Sequence, residues 1–482
     1  MTQTTPSDLK VVQVCFVAPL DCTNNIASTI PTSLPLTFFD LLWLRFPPVE
    51  RLFFYEFPHS SSSSFFDSLL PNLKHSLSLT LQHFLPFAGN ITWPLDSPKP
   101  IINYVPGDAV SFIVAQSNAD FNYLCSDLCE ASQRHPLIPH LTTSDEKASL
   151  FALQVTLFPN TGFCIGITTH HAAFDGKSST LFMKAWAYYA CHLGVGESQA
   201  VAVTQGIHLF DVLSLPQHLT PSFDRSVIRD PSGIGEAYLE AWMEHDGGPN
   251  NRSLKVWDAM SYKIEKDALK GLFELSPLNI QKLKQYAHSK LKTMKVINIS
   301  AFSVISAYVL ACLVKAEQPE GNCVLFIFPV ECRTRLLDTP IPTYFGNCVT
   351  GKKVWVETKK LMGNDGFISA LEGISEGLNR VKEGLLEGAE TSVSDILKSK
   401  KVEGTKVRVF STAGSPWFEV YSTDFGCGRP KKVDMTSIDR TGAFSLSETR
   451  NNSNGGIEIG LVLGKHEMEA FSTHFLQGLE SF

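Results

Sequence analysis

Hydrophobic residues recur along the chain with two periods, one typical of helices and one typical of strands. Between residues 65 and 90 the leucines lie mostly three or four positions apart, which predicts an amphipathic helix that ends near Pro86 and Gly89. The segment 175–194 also has an apolar face at helical spacing. Short apolar runs between turn residues indicate strands. In the first half these predicted strands lie at 100–106, 109–116, 150–158 and 161–171.

The second half shows the same mixture after a polar segment. Residues 195–255 are rich in Pro, Gly and Asp clusters, which predicts a crossover between two halves. Beyond it we predict an apolar helix at 300–315 and a long polar helix at about 366–396. The predicted strands of this half lie at 322–335, 344–357, 406–410, 417–421, 442–448 and 456–463. The pattern therefore predicts an α/β protein with strands and helices mixed in both halves.

The length of the chain bounds its domain organisation. At 482 residues it exceeds the size at which a single hydrophobic core normally stops growing, so two domains are expected. We place an N-terminal domain at 1–195, a crossover linker at 196–254 and a C-terminal domain at 255–482, with approximate boundaries.

Composition and charge exclude several classes of protein. Apolar residues make up 44% and charged residues 18%, which is typical of a globular chain. A net charge of −7 argues against a broad nucleic-acid surface. The longest apolar runs are shorter than a membrane span, and the N-terminus lacks the features of a secretory signal. We therefore expect a cytoplasmic monomer that binds neither nucleic acid nor membrane.

The cysteines and histidines do not indicate a metal site. The eleven cysteines are scattered, and Cys125 and Cys129 have no second pair to complete a zinc centre. In a cytosolic protein these cysteines are expected to stay reduced. We predict no metal.

The stretch with the most chemical content is "TGFCIGITTHHAAFDGKSST", residues 161–180. Its end resembles a phosphate loop, but the position five before Gly176 holds His171 where such a loop needs glycine. His171 and Asp175 alone are too few ligands for zinc. Two interpretations remain for His171: a core histidine held by hydrogen bonds, or a general base presented at the end of a strand.

Further motifs accompany this one. They are "LPLTFFDLLWL" at 34–44, "LPFAGNI" at 85–91, "ECRTRL" at 331–336, "YFGNC" at 344–348 and "DFGCG" at 424–428. "DFG" also occurs in kinases, but the other kinase motifs are absent. In order and spacing these motifs resemble the plant acyl-CoA-dependent acyltransferases of the BAHD family. The "YFGNC" segment resembles the clade that acylates anthocyanin, flavonoid and phenolic glycosides.

The resemblance implies a fold and an activity. The fold would be two domains like chloramphenicol acetyltransferase, each a mixed sheet flanked by helices, with a tunnel between them and His171 at its middle. The activity would be transfer of an acyl group, most often malonyl from malonyl-CoA, to a sugar hydroxyl of a phenolic glycoside, with the 6-position expected. The partners would be two small molecules, the acyl-CoA co-substrate and the glycoside, without any bound cofactor.

The resemblance also implies roles for single residues. His171 would take the proton from the acceptor hydroxyl, so no acyl-enzyme is needed. Asp175 has two interpretations. It orients the imidazole as in a Ser-His-Asp triad, or, as the family implies, it pairs with Arg333 and holds the loop. We favour the pairing with Arg333.

Other candidate residues each have a plain structural alternative. Lys177 is a candidate partner for a malonyl carboxylate, or else a solvated lysine. Ser300 matches a position near the pantetheine arm in the family, or is only a helix N-cap. Asn347 lines the tunnel or holds a turn. The basic residues of the segment 429–432 meet CoA phosphates or, as we favour, form a basic surface turn.

The "DFGCG" motif departs from the family at one position. Asp424, Gly426 and Gly428 match, while Cys427 stands where the family usually has tryptophan. In the family the motif is structural and distant from the reacting atoms. The substitution therefore affects local packing more than chemistry, and we expect neighbouring side chains to compensate for the lost volume.

Three hypotheses for function follow. The first is malonyl transfer to a phenolic glucoside. The second is the same reaction with an aromatic donor such as coumaroyl-CoA. The third, of a different class, is a non-catalytic fold member that binds a glycoside or a partner protein.

Overall fold

The structure is a computed structural model that describes residues 9–20, 30–58, 62–193, 214–245, 250–257, 266–291, 298–336, 340–399, 407–451 and 455–481. The strands in these ranges are β1 Leu9–Val17, β2 Ser33–Pro35, β3 Val49–Glu56, β4 Asn90–Thr92, β5 Ile101–Asn103, β6 Val110–Ser117, β7 Leu128–Glu130, β8 Lys147–Ser149, β9 Phe151–Phe158, β10 Gly162–Thr169, β11 Leu269–Leu275, β12 Cys323–Glu331, β13 Val349–Glu357, β14 Arg408–Ala413, β15 Lys432–Met435, β16 Ala443–Glu448 and β17 Ile457–Leu463.

The same ranges also contain α-helices. They are α1 Phe38–Leu41, α2 Ser62–Ser64, α3 Leu70–His83, α4 Phe121–Leu124, α5 Gly176–Leu193, α6 Ile234–Met243, α7 Pro277–Lys290, α8 Ala301–Glu317, α9 Arg333–Leu336, α10 Thr358–Met362, α11 Gly366–Glu383, α12 Ser392–Ser399 and α13 Lys465–Glu480.

Two large mixed sheets organise the described part of the chain. The first has the strand order β1-β6-β9-β10-β3-β15 and the second the order β13-β12-β14-β16-β17-β11-β7. Most neighbours are antiparallel, but β6 runs parallel to β9, and β14 runs parallel to both β12 and β16. The prediction of mixed α/β structure in both halves is confirmed.

Each large sheet contains one strand from the other half of the chain. Lys432–Met435 (β15) pairs with β3 in the first sheet, and Leu128–Glu130 (β7) pairs with β11 in the second. A buried charge cluster accompanies the exchange: Asp434 of β15 lies 2.8 Å from Lys270 of β11 and 2.5 Å from Arg134. The predicted boundary at 195/196 lies outside the described residues, and the one at 254/255 stays a prediction.

Two predicted elements of the second half are wrong in detail. The helix predicted at 366–396 is two helices, because α11 ends before Gly384 and Gly388 turns the chain with φ of +71° before α12 begins. The strand predicted at 417–421 is a pair of 3₁₀ turns at Pro416–Phe418 and Val420–Ser422. Glu419, between the turns, has φ of +53°, which an extended strand does not allow.

The first core lies around the strand that leads to the histidines. All eight residues of β10 are buried between β9 and β3, which explains their continuous apolar character. Helix α5 follows after a short turn and packs against α3. On α5, Trp186 is fully buried and donates from Nε1 to the carbonyl of Leu73 at 3.0 Å. A strand and a helix fixed in this way hold the turn between them.

Candidate active site

His171 stands in the turn between β10 and α5. The turn is closed by backbone contacts of the preceding histidine: His170 accepts from Ala173 N through its carbonyl at 2.9 Å and from Ala172 N through Nδ1 at 3.2 Å. Because His170 is buried and its ring serves the turn, His171 is the histidine of the pair that retains partial exposure.

Aromatic side chains fix the plane of the His171 ring. Trp43 stacks on it with centroids 4.0 Å apart and planes 3° apart, and Phe46 meets it edge to face at 6.4 Å. Nδ1 is buried and has no hydrogen-bond partner in another described residue. Nε2 is therefore the ring nitrogen that can meet a substrate.

The surroundings of His171 keep its ring neutral. Burial lowers its pKa to about 4, while the interaction of the ring with its own backbone and the charge of Asp175 act in the opposite direction. A neutral imidazole at physiological pH has a free lone pair and can accept a proton.

Asp175 is bound by four donors, none of which is the histidine. Arg333 donates from Nη1 to Oδ2 at 2.8 Å and from Nη2 to Oδ1 at 3.1 Å, which is a bidentate pair. The backbone N–H groups of Ser178 and Cys348 complete the set at 2.9 and 3.1 Å. Burial raises the pKa of Asp175, but the charge and hydrogen bonds of Arg333 outweigh it, and the pKa lies below its ordinary value.

Arg333 links the turn to the segment "YFGNC". Its Nη2 donates to the Gly346 carbonyl at 2.9 Å and its Nε to the Tyr344 carbonyl at 3.2 Å. Ser178, at the start of α5, shares this contact, since its hydroxyl lies 3.1 Å from Arg333 Nη2 and 3.0 Å from the Gly346 carbonyl. Arg333 is 1% exposed, so the ion pair with Asp175 joins the two halves of the chain inside the protein.

Asn347 connects His171 to the N-terminal segment. Its side-chain amide donates to the His171 carbonyl and to Asp40 Oδ1, each at 3.0 Å, and its backbone N–H also donates to Asp40 Oδ1 at 3.0 Å. Asp40 holds Thr37 through its other oxygen, at 2.9 Å from the backbone nitrogen. Asn347 therefore holds the backbone of His171 directly, and Asp40 fixes the position of Asn347.

Gly346 has a conformation that its neighbours require. Its φ is +152°, and a Cβ built there would lie 1.9 Å from Nη1 of Arg225. Arg225 donates from this nitrogen to the Tyr344 hydroxyl at 2.7 Å and lies 3.5 Å from Asp40 Oδ2. Glycine at 346 lets Arg225 approach the backbone beside Asn347.

Sequence reasoning missed four residues of this site: Trp43, Asp40, Ser178 and Arg225. One of them, Asp40, had a local signal, because it forms a capping box with Thr37 at the start of α1 inside the "LPLTFFDLLWL" motif. Nothing in the local pattern indicated the contacts of the others, which join segments more than 100 positions apart.

The structure places Lys177 and Ser300 apart from the network just described. Lys177 is the second residue of α5, partly exposed, and forms no ion pair within the described ranges. Ser300 is the N-cap of α8, where its hydroxyl accepts from Ser303 N at 3.1 Å. The N-cap alternative for Ser300 therefore describes its observed contacts.

The "DFGCG" motif forms a glycine-dependent turn. Asp424 accepts from the N–H groups of Gly426 and Gly428 at 2.8 and 2.9 Å, and both glycines have positive φ near +88° and +89°. Phe425 is buried and meets Trp186 at 4.8 Å. Cys427 is partly buried against the same core, and burial raises the pKa of its thiol to about 12.

The basic segment after this motif is only partly the surface turn that we predicted, with Arg429 exposed and Lys431 partly exposed. Lys432 is fully buried and donates to the carbonyls of Leu124 and Ser126 at 3.0 and 2.9 Å. Arg429 donates to the Tyr421 carbonyl at 2.9 Å. The prediction of a basic surface turn is wrong for Lys432, because β15 enters the first sheet there.

Within the described residues, no group of three or more His, Cys, Asp or Glu side chains is arranged to hold a metal ion. Among the described helices, none is both long and apolar enough to cross a bilayer.

The whole fold has a counterpart among solved structures. Vinorine synthase matches it with a TM-score of 0.64 at 18% identity, over 97% of this chain and 98% of that one. The protein thus has the two-domain fold of the acyltransferases that resemble chloramphenicol acetyltransferase.

Sequence comparison identifies the family. The model of the Transferase family matches residues 25–202 and 220–477. The chain is 40% identical to phenolic glucoside malonyltransferase 1 of Arabidopsis thaliana over 98% of both proteins. The chain belongs to the BAHD acyltransferases, as the motifs predicted, and members of this family use acyl-CoA as co-substrate.

Two further relatives from Arabidopsis thaliana differ in the reaction that they are named for. The malonyl-CoA:anthocyanidin 5-O-glucoside-6''-O-malonyltransferase is 35% identical, over 98% of this chain and 99% of its own length. Agmatine coumaroyltransferase is 37% identical, over 97% and 98%. Relatives at similar identity therefore carry both kinds of acyl donor in their names.

Proposed function

We propose that this protein transfers a malonyl group from malonyl-CoA to a sugar hydroxyl of a phenolic or anthocyanin glucoside, with His171 as the general base. The observation that carries the chemistry is the His171 ring, which stacks on Trp43 and whose pKa burial lowers to about 4, so that the imidazole is neutral at physiological pH. The assignment of the substrates is supported by relatives that are named as malonyltransferases of such glucosides and are 40% and 35% identical over 98% of this chain.

The proton of the acceptor hydroxyl goes to Nε2 of His171 as the oxygen attacks the thioester carbonyl. The carbon–oxygen bond forms and gives a tetrahedral oxyanion. The oxyanion collapses with loss of the carbon–sulfur bond, and the CoA thiolate takes the proton back from the imidazolium. Base assistance of this kind contributes about 10²–10⁴-fold to a rate. The acceptor oxygen attacks the thioester directly, so no acyl-enzyme forms, and the histidine ends the cycle neutral.

The network around His171 supports a positioning function for the residues that do not touch substrate. Asn347 holds the His171 carbonyl, and the pair of Asp175 with Arg333 holds the turn that carries the ring. An error of about 1 Å in such a position can cost 10²-fold in rate. Residues of both halves meet at His171, which supports entry of the two substrates from opposite ends of a tunnel between the domains.

A malonyl donor brings a free carboxylate to the site. Lys177 is a cation without an ion-pair partner in the described part of the chain, and it lies two residues after Asp175. The N-terminus of α5, where Lys177 stands, also favours a negative charge. These two features support malonyl over an uncharged acyl group.

One observation favours a second candidate, transfer of a coumaroyl group. The identity to agmatine coumaroyltransferase is close to that of the malonyltransferases. The contacts of the network described above do not by themselves distinguish the two donors.

A donor panel tests the proposal. Purified protein is incubated with a mixture of phenolic and flavonoid glucosides and, separately, with malonyl-, acetyl- and coumaroyl-CoA, and product masses are read. Products heavier by one malonyl unit, formed only with malonyl-CoA, are expected. Products formed only with coumaroyl-CoA would replace malonyl by the second candidate. Absence of product with every donor would favour the non-catalytic hypothesis.

Lys177→Ala then tests the donor site. We expect the KM for malonyl-CoA to rise about tenfold or more, as for loss of a charged hydrogen bond, while the KM for acetyl-CoA stays nearly unchanged. Lys184→Ala is the matched control, since Lys184 lies on the same face of α5 and pairs with Glu419 at 2.8 Å. Equal effects of Lys177→Ala on both donors would remove this lysine from the malonyl site.

A further inference from the structure

Part of the crossover segment pairs with the segment "YFGNC" in the second half of the chain. The backbone at Ser222 forms a parallel bridge with Tyr344. Ser222 N donates to the Thr343 carbonyl at 2.9 Å, and Phe345 N donates to the Ser222 carbonyl at 2.8 Å. Residue 222 belongs to the stretch that the sequence predicts as a linker between domains, yet its backbone is held against the segment that leads to Asn347.

Phe223 extends this contact to the turn that carries the base. The centroid of its ring lies 5.9 Å from that of Phe345 and 6.2 Å from that of Phe87. Phe87 and Phe345 each contact Phe174, in the turn between β10 and α5, with centroids 4.9 and 5.5 Å apart. All three of these rings are buried, and aromatic pairs favour particular relative orientations. The segments "LPFAGNI", "HHAAFDG" and "YFGNC" therefore meet in one aromatic cluster, to which the crossover adds Phe223.

Arg225 brings a positive charge from the crossover into the same region. It is 9% exposed and begins the 3₁₀ turn Arg225–Val227, which Asp224 caps. A single nitrogen, Nη1, makes both of its polar contacts, at 2.7 Å to the Tyr344 hydroxyl and at 3.5 Å to Asp40 Oδ2. Nε and Nη2 are buried and have no acceptor among the described residues. Arg225 therefore acts on its surroundings through one charged nitrogen.

Asp40 depends on this charge and holds two parts of the site. It is fully buried, and Arg225 is its ion-pair partner in the described part of the chain. A buried carboxylate needs such a partner to remain charged. Asp40 Oδ1 accepts from Asn347, which holds the His171 carbonyl. Trp43, which stacks on the His171 ring, follows the helix that carries Asp40. A shift of Asp40 would thus displace both the backbone and the cover of the base.

We propose that residues 222–225 of the crossover are part of the active site and that Arg225 is a positioning residue for His171. Arg225 acts through Asp40 and does not bind substrate. The inference rests on the proposed function for the reaction whose rate is measured, whereas its effect on the His171 ring is independent of any substrate.

Arg225→Met and Arg225→Lys form the first test. In Arg225→Met we expect kcat to fall by about 10–100-fold while the KM values of the acyl-CoA and the acceptor change by less than about twofold. Because a single nitrogen makes the contacts, the ammonium of Arg225→Lys should replace it and recover most of kcat. Equal kcat in the two variants would mean that Arg225 acts by packing alone. A raised KM with constant kcat would make it a substrate contact. Either result would overturn the inference.

Arg408→Met is the matched control for loss of a partly buried arginine. Arg408 lies on β14 in the second sheet, and its Nη2 donates to Glu317 of α8 at 2.6 Å. Its removal should leave kcat unchanged. A loss of kcat as large as that of Arg225→Met would show that the effect is not specific to the crossover, and the inference would fail.

A second pair of variants covers the case in which Arg225→Met does not fold, since it leaves a buried carboxylate without its cation. Asp40→Asn/Arg225→Met removes both charges. If Arg225 acts through Asp40, the double variant should have nearly the same kcat as Asp40→Asn alone. A further loss of tenfold or more in the double variant would contradict a role through Asp40.

A readout on the ring separates this inference from the proposed function. The Cε1–H signal of His171, assigned by its absence in His171→Ala, is followed by NMR between pH 4.5 and 8 without substrates. In the wild type burial lowers the pKa of His171 to about 4, so the signal should not titrate above pH 5. In Arg225→Met the midpoint should move up toward 6.5 as water reaches the ring, and in Arg225→Lys it should return.

An unchanged His171 titration in Arg225→Met would overturn the positioning role. If the midpoint moves in Arg225→Met, returns in Arg225→Lys and stays in place in Arg408→Met, but the wild-type protein transfers no acyl group, the proposed function fails and the positioning role stands.

Discussion

Trp43 lies flat against His171, with ring centroids 4.0 Å apart and planes only 3° apart. The two residues are 128 positions apart in the chain, and Trp43 lies two residues after the end of the helix that carries Asp40. One face of the imidazole is thus covered by an indole, which removes water and fixes the ring plane. The contact accounts for part of the burial that lowers the pKa of His171 to about 4.

Removing this cover should change the pH dependence of catalysis. In the wild type we expect kcat/KM to stay high down to about pH 5, because the base is protonated only near its pKa of about 4. In Trp43→Ala water reaches the ring, so the acid limb should move up toward 6.5 and kcat should fall by about 10²-fold from loss of orientation. A pH series of kcat/KM measures both effects.

Trp43→Phe is the control for this prediction, since a smaller aromatic ring still covers the imidazole. It should keep the wild-type pH profile and recover most of kcat. An unchanged acid limb in Trp43→Ala would contradict the role of the stacking contact.

The two neighbouring histidines also make stability depend on pH. Burial lowers the pKa of both His170 and His171 to about 4, against 6.5 in the unfolded chain. At these two histidines the unfolded state therefore binds more protons between pH 6.5 and 4, and their contribution to the free energy of unfolding falls as pH falls through this window. At pH 5 the loss is about 2 kcal/mol for each histidine.

His170→Gln should reduce this loss by about half. Urea titrations at pH 7 and pH 5 measure the loss of unfolding free energy in the wild type and in the variant. The comparison between variants is needed because Glu50, Glu448 and Glu458 have raised pKa values through burial. Those carboxyl groups stabilise the fold as pH falls and act in the opposite direction. An identical loss in wild type and His170→Gln would show that His170 is not buried in its neutral form.

The ion pair of Asp175 and Arg333 should be essential for folding stability rather than for proton transfer. Removing one partner leaves a buried charge without its counterion, so Asp175→Ala and Arg333→Ala should each lower the free energy of unfolding by about 3–5 kcal/mol. The double variant should lose clearly less than the sum, as expected for residues in contact. Urea denaturation followed by tryptophan fluorescence measures the cycle.

His171→Ala provides the contrast in the same experiment. It should remain within about 1 kcal/mol of wild-type stability at pH 7 and lose activity by about 10²–10⁴-fold. If Asp175→Ala leaves stability unchanged and only displaces the pH profile, the aspartate would act on the imidazole as in a catalytic triad.

Asn347 should act through the position of His171. Asn347→Ala loses the hydrogen bonds to the His171 carbonyl and to Asp40, so we expect kcat to fall by about 10–100-fold with little change in the KM of either substrate. Steady-state kinetics at saturating concentrations of both substrates show this split.

Asn279→Ala is a matched control for loss of an asparagine. Asn279 belongs to the capping box of α7 and bonds Ser276, away from the site. It should cost about 1 kcal/mol of stability without affecting kcat. A rise in KM with constant kcat in Asn347→Ala would instead make Asn347 a substrate contact.

Much of the local structure could be predicted, because its signals lie within a few residues of each other. The alternation and apolar runs that form β9 and β10, and the helical spacing in α3 and α5, are set by burial on one or both faces of each element. The same local reading placed His171 after a strand and before a helix. The motifs, taken together, indicated the family and hence the fold.

Local patterns failed where the backbone depends on distant partners. Strand β15 was not predicted, because charged residues such as Lys432 and Asp434 normally lie at the surface. In the folded chain β3, Lys270 and Arg134 surround this strand and bury both residues. The segment at 417–421 has the composition of a strand, but Glu419 takes a left-handed conformation between two 3₁₀ turns.

The sequence by itself thus determined the elements, the family and the position of the histidine in its turn. Only the tertiary structure decided what surrounds that histidine: Trp43 on its face and Asn347 on its carbonyl. The physical reason is the distance along the sequence over which each kind of signal acts. Periodicity records whether a residue is buried, while stacking and hydrogen bonds depend on which distant segments the folded chain brings together.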